Sequence, residues 1–462
     1  MSHPASENLL KDLLSILPAD QLSVDSEVLT EHSTDKWFAA AMPDIVAFPT
    51  TTEQVSALMA YATANKIPVT ARGGGVGYVG GCVPKSGGIV LSLIRMNRIK
   101  EINLQDGVAV VEPGVITGDL QKAVAADGWF YPPDPASLKE CSLGGNIATN
   151  AGGPRCVKYG VTRHYVLGLE VVLADGRVLR TGGRCHKNVT GFDLIGLFVG
   201  SEGMLGIVTE MTLRLIPHPP CRQMLSAGFA SFAEAAAAVQ RILGGGFLPS
   251  ALEIADHFTL DAARAYKGAF LIPEGQAHLL VELDGQPGAV RSDMEALTAL
   301  VNSLSPTSLT TAATVEECEA IWNLRREFSY SLRATGLIKL NEDIVVPRGR
   351  LVDLVEFCEG LQAECGFPIA CFGHAGDGNI HVNIMVPSME DPAIREKAEA
   401  ALDRLFRQIL AWEGVLTGEH GIGLAKKRWF PEATSDVSRA VHHALRDTFD
   451  PHHLLNPGKF LD

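Results

Sequence analysis

Ten residues, Arg72-Gly73-Gly74-Gly75-Val76-Gly77-Tyr78-Val79-Gly80-Gly81, follow directly on the β-branched run 67–71. With most of its Cβ atoms missing, a backbone of this kind can turn successive N–H groups toward one anion and let it approach closely. By its physics the segment is a phosphate cradle at the end of a strand. Gly75, Gly77 and Gly80 also match the G-x-G-x-x-G dinucleotide fingerprint, but that motif needs a helix straight after the turn and an acidic residue about 20 positions on. The continuation Cys82-Val83-Pro84-Lys85-Ser86-Gly87-Gly88 cannot be a helix. A nicotinamide-binding βαβ unit therefore fails on context.

A second glycine system runs through Pro132-Pro133-Asp134-Pro135-Ala136-Ser137, then Gly144-Gly145-Asn146-Ile147-Ala148-Thr149-Asn150-Ala151-Gly152-Gly153, and Tyr159-Gly160. It offers many neutral hydrogen-bonding groups and few charges, which suits a large, partly aromatic ligand carrying a pyrophosphate. A third piece, Gly200-Ser201-Glu202-Gly203-Met204-Leu205-Gly206-Ile207-Val208-Thr209-Glu210, leads from a loop into a strand.

The 462 residues predict two to four domains. A formal charge of -14 argues against nucleic acid or an anionic membrane as a general partner. Nine scattered cysteines without a Cys-x-x-Cys pair fit a reducing compartment, not a disulfide framework or a thiolate zinc site. No apolar run approaches the roughly 20 residues of a membrane span. The start at 6–14 is amphipathic and partly acidic, a surface helix and not an export signal. The expectation is a soluble, cytoplasmic protein.

Short β-branched runs at 67–71, 88–91, 108–111, 169–173 and 206–215 predict strands, with helices at 52–65 and 117–127 and an Asp-Gly hairpin turn at 174–177. Pro217-His218-Pro219-Pro220 is a stiff break that predicts a domain boundary. Beyond it, helix patterns at 231–243, 290–304, 315–334, 350–365 and 391–413 alternate with strands at 278–283 and 343–346. The predicted organisation is an α+β domain over 1–217, a second α+β domain over 218–410, and a helical segment over 411–462 that completes the site.

In Phe372-Gly373-His374-Ala375-Gly376-Asp377-Gly378-Asn379-Ile380-His381-Val382-Asn383-Ile384, Asp377-Gly378 predicts a turn. A following strand would place Asn379, His381 and Asn383 on one face, with His374 returning to it. A lone histidine is usually a hydrogen-bonded core residue, but two imidazoles on a polar strand face can hold a divalent metal if a third ligand arrives. The Thr417-Gly418-Glu419-His420-Gly421 segment offers Glu419, with His420 beside it. On the helix 315–334, Arg325 and Ser329 share a face at i,i+4, and an arginine fork fits a carboxylate. Lys339 is expected just before a strand, while Arg326 and Glu327 read as surface charge.

The segments Arg72–Gly81, Pro133–Gly160 and Gly200–Thr209 resemble the FAD-binding half of the vanillyl-alcohol oxidase and p-cresol methylhydroxylase flavoprotein superfamily. The C-terminal half resembles its D-2-hydroxy acid dehydrogenase branch, which includes D-lactate dehydrogenase, D-2-hydroxyglutarate dehydrogenase and the large subunit of glycolate oxidase. The resemblance implies a two-domain flavoprotein, with a p-cresol methylhydroxylase-type FAD domain and a cap domain built on an antiparallel sheet. Gly73, Gly74, Gly75, Val76 and Gly77, after Arg72, would hold the pyrophosphate together with Gly144, Gly145, Asn150, Gly152 and Gly153. The backbone of Ile207 and Val208 would meet the adenine end. Pro133, Asp134, Ser137, Tyr159, Gly160, Glu202 and Asn456 would complete the cofactor site. His374, His381 and Glu419 would bind a zinc-like or manganese-like ion, His420 would be the base, and Asn383 would lie near the substrate. Arg325, Ser329 and Lys339 would take its carboxylate.

Val76 and Met204 stand where relatives commonly carry a hydroxyl residue, and no histidine lies between 67 and 81 to link the flavin covalently, so FAD is expected to be bound but unlinked. The implied activity is oxidation of a D-2-hydroxy acid, D-lactate-like or D-2-hydroxyglutarate. The acceptor would be a quinone, a cytochrome or an electron-transfer flavoprotein, and a homodimer is compatible. The rival readings are a non-catalytic component of a multi-subunit glycolate oxidase-type complex and a metal-dependent hydrolase built on the two histidines and Glu419.

Overall fold

The computed structural model describes residues 4–268 and 272–462. Contacts divide the chain into two units: Met1–Gly152, Val161–His218 and Glu419–Asp462 form the first, Gly153–Gly160 and Pro219–Gly418 the second.

In the first unit, Ile89–Ser92 pairs in parallel with both Ile45–Ala47 and Val69–Arg72, and Leu22–Ser23 adds an antiparallel edge. Strands covered on both faces read as unbroken apolar runs, as Ile89-Val90-Leu91 does. Helix Thr52–Asn65, capped by the Thr51 hydroxyl accepting from the Gln54 amide, buries Val55, Leu58, Met59 and Ala62. These side chains pack with Ile45, Val69 and Leu91 in one core. A second, antiparallel sheet runs in the order Ile99–Asn103, Val108–Val111, Ile207–Arg214, Val166–Val172, Val178–Gly182. Its last two strands are joined through Asp175-Gly176, where Gly176 takes φ +86°.

The second unit is built on an antiparallel sheet of seven strands among the described residues. Their order is Ser308–Ala312, Cys221–Phe229, Ala277–Gly285, Ala251–Ala255, Ile369–His374, Asn379–Val386, Ile338–Val345. The expected helices appear as Phe232–Gly244, Pro287–Asn302, Val315–Ala334, Leu351–Cys365 and Pro392–Ala411, with His257–Lys267 in addition. The α+β class and the antiparallel sheet are as expected.

Four details depart from the sequence reading. Lys339 lies inside a strand, not before one: Ile338–Val345 pairs along its whole length with Asn379–Val386, and this ladder carries the polar Asn341, Glu342 and Asp343 with it. Pro217 is tolerated in a strand because its ladder with Trp129 is only two residues long, where a missing N–H costs little. Residues 153–160 leave the first unit because Arg155 and Lys158 pair with Glu282 and Asp284 of the second. Residues 411–418 stay in the second because Val415 bridges Val345 and the Thr417 hydroxyl donates to Asp343 at 2.8 Å.

Glu282 is fully buried and accepts from Arg155 Nε at 2.9 Å, Trp322 Nε1 at 2.6 Å and Ser250 Oγ at 3.0 Å. Burial works against its ionisation, yet Arg155 and Trp322 hold it below the ordinary carboxylate range. Glu282→Ala is expected to destabilise the second unit by about 3 kcal/mol, the lower end for removing one partner of a buried pair, because Arg155 keeps some solvent. The urea midpoint of that unit at unchanged slope is the check.

Candidate active site

The first unit brings the two glycine systems together. A Cβ on Gly73 would meet Ser142 Oγ at 2.2 Å, and one on Gly74 would meet the Glu140 carbonyl at 2.4 Å. Ser142 caps the helix Leu143–Thr149 by accepting from the Gly145 amide at 3.3 Å. Among the described residues, the amides of Gly74, Gly75 and Val76 donate to no protein acceptor. Unused N–H donors on backbone that only glycine lets this close fit the pyrophosphate of FAD. Arg72 serves from below: its guanidinium donates to the Thr34 carbonyl at 2.6 Å and the Glu31 carbonyl at 3.3 Å, bracing the loop from inside.

The other expected cofactor residues are distributed between the units. Pro133 and Asp134 are buried, the Pro133 carbonyl accepting from Gln121 at 2.9 Å, and Ser137 is half-buried. Asn150 ends its helix at φ +53°, with Oδ1 accepting from the Arg163 amide. Ile207 and Val208 open a strand opposite Val172 and Val171. Gly153, Tyr159 and Gly160 belong to the second unit, where the Tyr159 hydroxyl donates to Asp284 at 2.8 Å.

His420 belongs to the first unit. Its ring stacks on Tyr78 of the first glycine loop at 5.3 Å and 28°. The Glu202 carboxylate accepts from the Ile422 and Gly423 amides at 2.7 and 2.8 Å, and the Val79 carbonyl accepts from Leu424 at 2.7 Å. Burial pushes the Glu202 carboxyl up, against those two amides. Asn456 donates to the Gly81 and Glu202 carbonyls, so both Glu202 and Asn456 tie loops of this unit together.

In the second unit the turn 375–378 joins Ile369–His374 to Asn379–Val386. Gly378 is required there: it sits at φ +87°, and a Cβ would meet the Val346 carbonyl at 2.2 Å. The register sets His374 opposite Asn379 and Phe372 opposite His381, so the two imidazoles become diagonal neighbours 5.5 Å apart. Asn383 is buried on the same face and donates to the Ala370 and His381 carbonyls. His374 Nδ1 lies 2.6 Å from Glu253 Oε1, and Arg325 Nε donates to Glu253 Oε2 at 2.6 Å. Helix Val315–Ala334 presents Arg325 on its buried face, its start set by the reciprocal Thr314–Glu317 cap. Lys339 donates to Ser329 at 2.8 Å, and burial, with Arg333 adding, brings its pKa down to about 7. Asp343 accepts from Asn379 Nδ2 at 2.6 Å and from the Gly418 amide at 3.0 Å, which fixes the residue immediately before Glu419.

No sequence motif marks Glu253 or Asp343. A signal for Glu253 lies in its setting: it is the one carboxylate within Ala251-Leu252-Glu253-Ile254-Ala255, a strand buried throughout. A charge at such a place persists only when paired.

A glycine-lined backbone cradle on one unit and an antiparallel sheet with an imidazole-rich face on the other are the features of a flavoprotein of the p-cresol methylhydroxylase type. In fold the chain matches p-cresol methylhydroxylase with substrate bound, at TM-score 0.80 and 20% identity over 99% of this chain and 97% of that one. It matches 4-ethylphenol oxidase from Gulosibacter chungangensis equally, at TM-score 0.80 and 22% identity. An FAD binding domain family matches residues 43–182, and the family "FAD linked oxidases, C-terminal domain" matches 218–460. The chain belongs to the FAD-linked oxidase family and is an oxidoreductase of the D-lactate dehydrogenase and GlcD type. It is 39% identical to the glycolate oxidase subunit GlcD of Bacillus subtilis over 91% of this chain and 89% of that protein. To the D-lactate dehydrogenase of Anaerostipes hadrus it is 32% identical over 96% and 94%. Among the described residues no helix is long and apolar enough to cross a membrane.

Proposed function

We propose that the chain oxidises a D-2-hydroxy acid, D-lactate-like or D-2-hydroxyglutarate, to the 2-oxo acid, with non-covalent FAD as its cofactor. The observation that carries this reading is the buried face of the second unit, where His374, His381, Asn383 and Arg325 gather on adjoining elements. Bound FAD supplies a two-electron acceptor for hydride. Arg325 and Lys339, with Ser329 beside the ammonium, bind the substrate carboxylate. His374, His381 and Glu419 hold a divalent cation, zinc or manganese. Support comes from the His374–Glu253 contact, since metal-ligating histidines donate their second nitrogen to a carboxylate. A cation held there would lower the pKa of the substrate hydroxyl; His420 is the base that takes the hydroxyl proton. Asn383 lines the substrate position. A partner that re-oxidises the flavin completes turnover; the "subunit" in the glycolate oxidase relatives' names favours an assembly with other chains as the second reading.

The test is anaerobic mixing of the purified protein with D- and L-2-hydroxy acids while the flavin absorbance is followed, with metal analysis of the same sample. D-lactate, glycolate or D-2-hydroxyglutarate should bleach the flavin and the L-acids should not. A flavin left oxidised by every acid in the panel refutes the assignment.

Lys339 sets a pH dependence. Its pKa near 7 lies below the ordinary lysine value, so it is charged below about pH 7 and loses its proton above. KM for the acid is expected to be flat on the acidic side and to climb, up to about tenfold per pH unit, on the alkaline side. In Lys339→Met the KM should be high at every pH and this climb absent.

A further inference from the structure

We propose that Glu253 is a positioning residue serving both halves of the substrate site: one carboxylate oxygen orients His374 for metal binding and the other orients Arg325 for the substrate carboxylate. The proposal rests on the reading above and extends it to a residue assigned contact with neither substrate nor ion.

Glu253 is 1% exposed in the strand Ala251–Ala255, which pairs directly with the strand carrying His374. Its two oxygens are used separately, Oε1 at 2.6 Å from His374 Nδ1 and Oε2 at 2.6 Å from Arg325 Nε. A carboxylate facing Nδ1 holds the ring proton there and leaves the Nε2 lone pair to coordinate a cation. The same carboxylate takes only the Nε–H of Arg325. The guanidinium is further clamped over Phe372, 4.9 Å from its centroid, and Phe328, at 5.8 Å. Among the described residues neither Nη of Arg325 reaches a protein acceptor, so two donor nitrogens with a fixed plane remain for a substrate carboxylate. One buried charge thus sets the tautomer of a ligand and the plane of an anion fork, 72 and 121 positions away in sequence.

The test uses the FAD-loaded protein, stripped of metal and titrated with Zn2+ against a chromophoric chelator. Glu253→Gln is expected to weaken Zn2+ about 10–100-fold and to raise KM for the hydroxy acid, with the FAD content unchanged. Because that variant leaves Arg325 buried and unpaired, Glu253→Gln/Arg325→Met, which removes both charges, is measured in parallel and should show the same loss of Zn2+ affinity. A purely structural role would lower the urea midpoint and leave the Zn2+ affinity alone. Wild-type Zn2+ affinity in either folded, yellow variant overturns the proposal and leaves the reading above intact. A wild-type chain that takes up neither Zn2+ nor Mn2+ overturns the metal assignment and this proposal together.

Discussion

Replacing His420 with asparagine is expected to lower kcat by about 10²–10⁴ while FAD uptake stays as in the wild type. Asparagine keeps a polar group of similar reach but cannot accept a proton, so the substitution removes the base and little else. The loop around it should survive, because its anchors are the Glu202 carboxylate and the Val79 carbonyl, both taking backbone amides of 422–424. The Tyr78 ring loses its half-buried stacking partner, and the backbone anchors of the loop stay in place. Turnover and flavin absorbance measured on one preparation decide it: a yellow His420→Asn protein with wild-type kcat would remove His420 from the chemistry.

The second large effect concerns the cradle. Gly74→Ala is expected to weaken FAD binding about 10–100-fold, the equivalent of 1–3 kcal/mol of overpacking. The new Cβ would lie 2.4 Å from the Glu140 carbonyl, which is backbone and cannot swing aside as a side chain would. The loop must move, and the amides of Gly74, Gly75 and Val76 move with it. Gly81→Ala is the matched control: its nearest neighbour is Val79 Cγ2 at 3.8 Å, an ordinary contact, and its carbonyl still accepts from Asn456. Fluorescence titration of the two apoproteins with FAD compares them. Equal affinities would show that the tight approach at residue 74 plays no part in holding the cofactor.

Much of the architecture was legible from residue patterns. The strands at 89–92, 108–111 and 207–214 and the helices at 52–65 and 315–334 follow from alternation, apolar runs and capping residues. The Asp377-Gly378 turn and the shared face of Asn379, His381 and Asn383 follow from the same local rules. What local rules misplaced was decided by pairing. Lys339 is in a strand because Ile338–Val345 has a full-length partner, although Asn341-Glu342-Asp343 looks like a break. Residues 153–160 sit within a glycine-rich stretch that reads as one piece, yet Arg155, Lys158 and Tyr159 find their partners on the strand Ala277–Gly285.

Residue identity alone determined where the backbone can turn tightly and present its amides, where helices and strands run, and which imidazoles and cations are available. Each of these depends on neighbours a few positions apart. Tertiary structure alone decided how the charges are shared out: Glu253 between Arg325 and His374, Glu202 to amides 220 and 221 positions away, Asp343 to Gly418. A buried carboxylate must find a donor wherever the strands and loops bring one, and that choice depends on long-range register, which no local periodicity records.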